Sequence, residues 1–152
     1  MTSIFLMIQG ISQNIALFCC ALFAGGSVYI SLVEDPATTE GGAEFASSYL
    51  LWTHPRPAIF QVVFAATAAL AGILTGLASG AIWWVIGGII LGIAALLHLS
   101  FVIPETRRLR NIDLTADPER TTQLLVRLAR MHAALCLVSL GALFIFVFIV
   151  SG

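Results

Sequence analysis

The chain contains no lysine. All seven of its basic residues are arginines, and only 10% of its 152 residues are charged. Soluble domains carry about 25% charged and 45–50% apolar residues. At 59% hydrophobic and a mean hydropathy of +1.01, this chain is suited to solvation by lipid. It has no basic domain and no reader motif, which argues against nucleic acid as a partner. It also lacks a phosphate-cradling glycine loop, a nucleophile motif and a His-Glu-x-x-His metal motif. The three cysteines give no disulfide framework. Cys19 and Cys20 are adjacent in one apolar run and Cys136 lies in another, so all three read as small core hydrophobes. No Arg precedes Arg56. The first apolar segment therefore lacks the positive start of a cleaved signal peptide and is expected to be retained.

What remains is mostly apolar helix. A membrane crossing needs about 20 apolar residues, and residues 15–33, 58–78, 81–103 and 131–150 each qualify. Ser79-Gly80 makes a minimal turn between the second and third. The expected fold is all-α: an integral membrane, antiparallel four-helix bundle forming one domain over residues 1–152. Gly72, Gly76 and Gly80 in the second segment, Gly88 and Gly92 in the third, and Ala16, Cys20 and Ala24 in the first recur every four residues. Such spacing lets helix backbones approach closely in lipid.

Arginine sets the expected orientation. Arg107, Arg108, Arg110, Arg120, Arg127 and Arg130 lie between the third and fourth segments, and Arg56 between the first and second. Both connections fall on one side, cytoplasmic by the positive-inside rule, with the termini outside. Within residues 35–56, Phe45, Tyr49 and Trp52 share one helical face, which suits an interfacial helix. Asp117-Pro118-Glu119 is a helix start, an N-cap followed by proline and an acid. The fourth helix is thus expected to begin with a cytoplasmic extension over residues 118–130. Arg120, Gln123, Arg127 and Arg130 form a stripe on it, facing solvent and anionic lipid heads.

Four polar residues mark the charged ends of the four segments: Glu34 closes the first, His54 precedes the second, Glu105 closes the third, and His132 opens the fourth. Carboxylates and imidazoles from different helices are how bundles build metal sites. Two of each suit iron, zinc or manganese, and copper less well. Helix ends also lie at an interface where polar residues belong in any case, with arginines at hand as salt-bridge partners. His98 is deeper, seven residues before Glu105, or about 10 Å of helix. An ionisable side chain at that depth points to function, against the plainer reading of a histidine bonded to a backbone carbonyl. Pro104 is expected to kink or end the third helix and to free the Ser100 carbonyl. A cavity bounded by His98, Ser100, Glu105 and His132 would follow.

Four spans, Asp35-Pro36-Ala37 after the first, an Ile-Pro-x-x-x-x-Leu exit over residues 103–109, and a histidine opening the fourth helix resemble the anthrone oxygenase-like family of small membrane proteins. The resemblance implies a four-helix fold and, for some members, oxygenation of an aromatic or polyketide-like substrate. His132 matches the family's histidine in the fourth helix. Glu105 stands where many members have Asn. Leu128 and Leu135 replace the family's Trp and Arg around the histidine, which puts the substrate in doubt.

Together these features suggest a membrane oxidoreductase, a monooxygenase-like enzyme acting on an apolar or aromatic small molecule. His132 would be base or metal ligand, with Glu105, Glu34 and His54 completing the site, and His98 would orient substrate. The cofactor would be a metal ion or none. One alternative is a haem-binding electron carrier with His98 and His132 as axial ligands. The other is a non-catalytic subunit that meets a membrane partner, or a second copy, through its small-residue faces. The orientation is directly testable. Cysteines in Thr2→Cys and Ser151→Cys variants are expected to react with an impermeant maleimide added outside intact cells; protection of both would reverse the topology.

Overall fold

The computed structural model describes residues 2–52 and 55–151, with side chains described for residues 4–50 and 58–151. Among these the chain is helical throughout, apart from short turns. Helix α1 (Thr2–Tyr29) passes through a π turn (Ile30–Glu34) into α2 (Asp35–Glu40). After α3 (Gly42–Trp52) come α4 (Pro55–Ser79) and α5 (Ile82–Leu97). A second π turn (His98–Val102) leads into α6 (Ile103–Arg110), and α7 (Pro118–Ser151) closes the chain.

Four stretches are long and apolar enough to cross a membrane: Ile4–Glu40, Ala58–Ser79, Ile82–Arg110 and Pro118–Ser151. Their exteriors carry large apolar side chains such as Leu32, Leu77, Phe144 and Phe148, each more than 70% exposed. A continuous apolar surface of this kind suits hydrocarbon and would be a liability in water. The long helices pack in a closed ring, with α1 against α4, α4 against α5, α5 against α7, and α7 against α1. Phe23, Leu91 and Phe146 fill its interior, and Phe146 stacks on Trp84 with ring centroids 4.6 Å apart.

Close helix contact is built on glycine. A Cβ on Gly88 would lie 2.8 Å from the Ala69 carbonyl oxygen and 3.0 Å from the Ile73 nitrogen. One on Gly72 would lie 2.8 Å from the Phe146 ring. The expected Ser79-Gly80 turn is present: Gly80 has φ +73°, a conformation glycine adopts without steric cost. Its N–H donates to the Gly76 carbonyl at 2.9 Å. The start of α7 is also as expected. The Asp117 carboxylate accepts from the Arg120 N–H at 3.0 Å, and the helix then runs 34 residues without a break. Before it, Thr121 Oγ1 donates to the Leu114 carbonyl at 2.8 Å. The exposed Asp113 accepts from the Thr115 N–H and hydroxyl, which hold its carboxyl below the usual carboxylate range.

The structure departs from the sequence reading at both prolines that follow an apolar stretch. The first long helix does not close at Glu34 but continues to Glu40. Pro104 neither ends nor interrupts its helix, which runs on to Arg110. The reason is local and the same in both places. A proline ring clashes with the carbonyl four residues back, and here the preceding turn is widened. The Asp35 N–H reaches back five residues to the Ile30 carbonyl, and the Ile103 N–H reaches back five to His98. Each π turn stops two residues before its proline. An inserted residue rotates everything downstream by about 100° relative to a plain helix. Between Asp35 and Trp52 the chain forms two helices, α2 and α3, where the sequence suggests a loop with one helix. Gly42, at φ +71°, turns the chain between α2 and α3. On α3, Phe45 and Tyr49 stack at 5.6 Å while Ala46 and Leu50 are buried.

Two substitutions test the packing. Gly88→Ala is expected to destabilise by about 1–3 kcal/mol, because its Cβ meets backbone that cannot move aside. Gly92→Ala, whose Cβ would meet only Ala69 Cβ at 3.8 Å, is expected to be neutral or to stabilise by up to ~1 kcal/mol through helix propensity. Detergent-induced unfolding followed by circular dichroism measures both. Equal effects would contradict the close approach of α4 and α5.

A buried aspartate–histidine pair as candidate functional site

The inward stripe of α7 is Thr121, Leu125, Leu128, His132, Leu135, Ser139, Ala142 and Phe146, all buried. Their three- and four-residue spacing is that of one helical face. His132 is therefore carried into the interior by the regular period of its helix, while Arg127 and Arg130 stay outside. Its partner arrives by the irregular route. Rotated inward by the first π turn, Asp35 accepts from His132 Nδ1 through Oδ1 at 2.8 Å and lies 3.1 Å away through Oδ2. His132 is 3% exposed and Asp35 8%. With Nδ1 facing a carboxylate, the proton on that nitrogen satisfies both groups.

Below the pair is a cavity of about 10 Å³ lined by Ser27, Ile30, Gln61, His98, His132 and Leu135. That is about the space of one water molecule. Gln61 of α4 is held against α1. With its amide oriented to satisfy both ends, it donates to the Phe23 carbonyl and accepts from the Ser27 N–H, each at 3.2 Å. The Ser27 hydroxyl donates to the same Phe23 carbonyl at 2.8 Å. A Cβ on Gly26 would collide with the Gln61 amide, so glycine there makes room for the contact. His98, at the head of the second π turn, also lines the cavity and is 3% exposed. Each π turn thus contributes one residue, Ile30 or His98, to the lining of one small cavity.

A second small cavity, which Asp35 lines as His132 lines the first, is bounded by Glu34, Asp35, Thr38, Tyr49, Leu50, Leu125 and Leu128. Here α2 and α3 cover the pair. Tyr49 and Glu34 share this space, close enough for the phenol to interact with the carboxylate.

Of the residues expected to form a site, His98 and His132 meet at one cavity, and Glu34 lines the other. Glu105 lines neither; its Oε1 is buried with no hydrogen-bond partner among the described residues. His54 lies outside the described residues. Among those described, no three His, Cys, Asp or Glu side chains are grouped to hold a metal ion, so Glu34, Glu105 and His132 do not form a ligand set by themselves. The cavity expected around His98, Ser100, Glu105 and His132 has a different lining. Ser100 is exposed, and Ser27 and Gln61 supply the polar groups instead. The cavity that His98 and His132 share, about 10 Å³, has room for a water molecule and not for a porphyrin.

Sequence reasoning missed Asp35, Gln61 and Ser27. Asp35 reads as one of four acids in a loop, and only a turn that rotates it by one position brings it inside. Gln61 and Ser27 carried a usable signal, since polar side chains within apolar spans usually have a reason to be there. No family model matches this chain, and no curated protein or solved structure matches it.

The pair makes a direct prediction. In ¹⁵N-histidine-labelled protein, His132 is expected to carry its proton on Nδ1. Asp35→Ala should cost about 3–5 kcal/mol, the usual effect of orphaning one member of a buried pair. A proton on Nε2 alone, or stability unchanged in Asp35→Ala, would contradict the geometry.

Proposed function

We propose that the chain is a multi-pass membrane oxidoreductase: an antiparallel four-helix bundle that acts like an oxygenase on an apolar or aromatic substrate, with His132 as general base. The observation that carries this reading is the buried Asp35–His132 contact. A carboxylate on Nδ1 fixes the imidazole's tautomer and stabilises the imidazolium, leaving Nε2 as the nitrogen that takes a proton. The histidine position and the four apolar helices are also what the anthrone oxygenase-like resemblance rests on.

A base in this setting suits a carbon acid, such as a methylene activated by flanking aromatic rings and a conjugated carbonyl. His132 removes a C–H proton, and the carbanion passes its electrons to dioxygen to form a peroxide. Loss of water leaves a carbonyl, so R₂CH₂ and O₂ give R₂C=O and H₂O. His98 and Gln61 lie where they can orient a substrate oxygen. The pair and its cavity are closed to solvent, so a substrate would reach Nε2 from the bilayer only if the helices that carry His98 and Gln61 part while Asp35 stays on Nδ1.

That closure also favours a second reading. In it the pair is solely a buried staple that joins α2 to α7 and fixes their register, in a non-catalytic membrane subunit. Oxygen uptake by the purified chain with an anthrone-type substrate separates the two. The enzyme reading expects uptake by the native chain and a loss of about 10²–10⁴-fold in His132→Gln, the usual range for removing a positioned base. No uptake by the native chain, or full uptake by a folded His132→Gln variant, overturns it and leaves the staple.

A further inference from the structure

We infer that the outward face of α7 binds an anionic phospholipid, its phosphate held by Arg127 and Arg130 and its acyl chain running over Met131 and Ala134. This site is separate from the buried pair and does not depend on the function proposed for it.

Three observations converge. The first is a groove of about 480 Å³ lined by Gln123, Val126, Arg127, Arg130, Met131 and Ala134. Those positions form one helical face, polar in its first half and apolar in its second. A phospholipid has the same order along its length, phosphate first and hydrocarbon after.

The second is depth. The 21 residues from Met131 to Ser151 include no Asp, Glu, Lys or Arg and rise about 31 Å as a helix. The hydrocarbon core of a bilayer is about 30 Å thick. With that stretch spanning the core, Arg130 falls at the headgroup boundary and Arg127 about 4.5 Å beyond it. Below the groove the helix face continues as Leu137, 72% exposed, and Gly141, beside which a Cβ would meet nothing within 4 Å. An acyl chain could lie there unobstructed.

The third is charge. Among the described residues the one close contact between a carboxylate and a basic side chain is Asp35–His132. Among the described residues no side-chain carboxylate forms a salt bridge with Arg127 or Arg130. The nearest acid on the same helix, Glu119, lies eight residues before Arg127, about 12 Å along the axis. Two exposed guanidinium groups one turn apart, with no internal anion, suit an external phosphate, which arginine can engage bidentately.

The test uses the full chain, purified and delipidated in detergent, with bound lipid counted by native mass spectrometry. Phosphatidylglycerol is expected to bind as a single retained adduct, about tenfold or more tighter than phosphatidylcholine, the scale that two arginines near a charged surface give. The Arg127→Gln/Arg130→Gln variant should bind both lipids alike, while Arg107→Gln/Arg108→Gln, altered at exposed positions on α6, should keep the preference. Equal binding of the two lipids by the native chain would overturn the inference without any variant. So would a preference that survives in Arg127→Gln/Arg130→Gln, or one lost equally in Arg107→Gln/Arg108→Gln, which would mean a diffuse field. Displacement of the lipid by millimolar inorganic phosphate would assign the groove to a free anion and reject the lipid.

Discussion

The contact between Asp35 and His132 is the constraint around which the rest of the molecule is arranged. A carboxylate buried in an apolar interior is tolerated only with a partner, and breaking such a pair costs more than the pair itself contributes. The contact therefore ties α2 to α7 and requires both helices to hold their register to within a fraction of an ångström. The surrounding architecture meets that demand. Glycine contacts bring α4 against α5, Gln61 reaches into the hydrogen-bond ladder of α1 beside Gly26, and α3 lays Ala46 and Leu50 over the Asp35 side.

Two π turns make this arrangement accessible. Each relieves the clash of a proline, at Pro36 and Pro104, without breaking the helix that contains it. The rotation has a chemical consequence, because one turn ends just before Asp35 and the other begins at His98. π turns inside α-helices occur often at functional sites, and this pair faces a shared polar cavity. The prolines are thus less terminators than devices that reset which side chains face inward.

This explains what could and could not be read from the sequence. The four apolar helices, the Ser79-Gly80 turn and the Asp117 cap were legible because hydropathy, glycine conformation and capping act over a few residues. The inward position of His132 follows from its place on a regular stripe. Asp35 was not legible, because a 3.6-residue period carried through the first π turn assigns it to the wrong face, and Asp-Pro ordinarily reads as a helix end. Pro104 misled for the same reason. Glu105 shows the converse. Its chemistry and its place at a helix end suggested a ligand, yet it lines neither cavity of the candidate site. Residue type alone could not distinguish it from Asp35.

The most direct measurement of the central contact is a double-mutant cycle with Asp35→Asn and His132→Asn, read by unfolding in mixed micelles. If the two side chains form one buried pair, the double variant should be far less destabilised than the sum of the singles. The coupling should then be about 1.5 kcal/mol or more, within the range for groups in direct contact. Additive effects to within about 0.5 kcal/mol, the behaviour of independent sites, would mean that Asp35 and His132 do not meet.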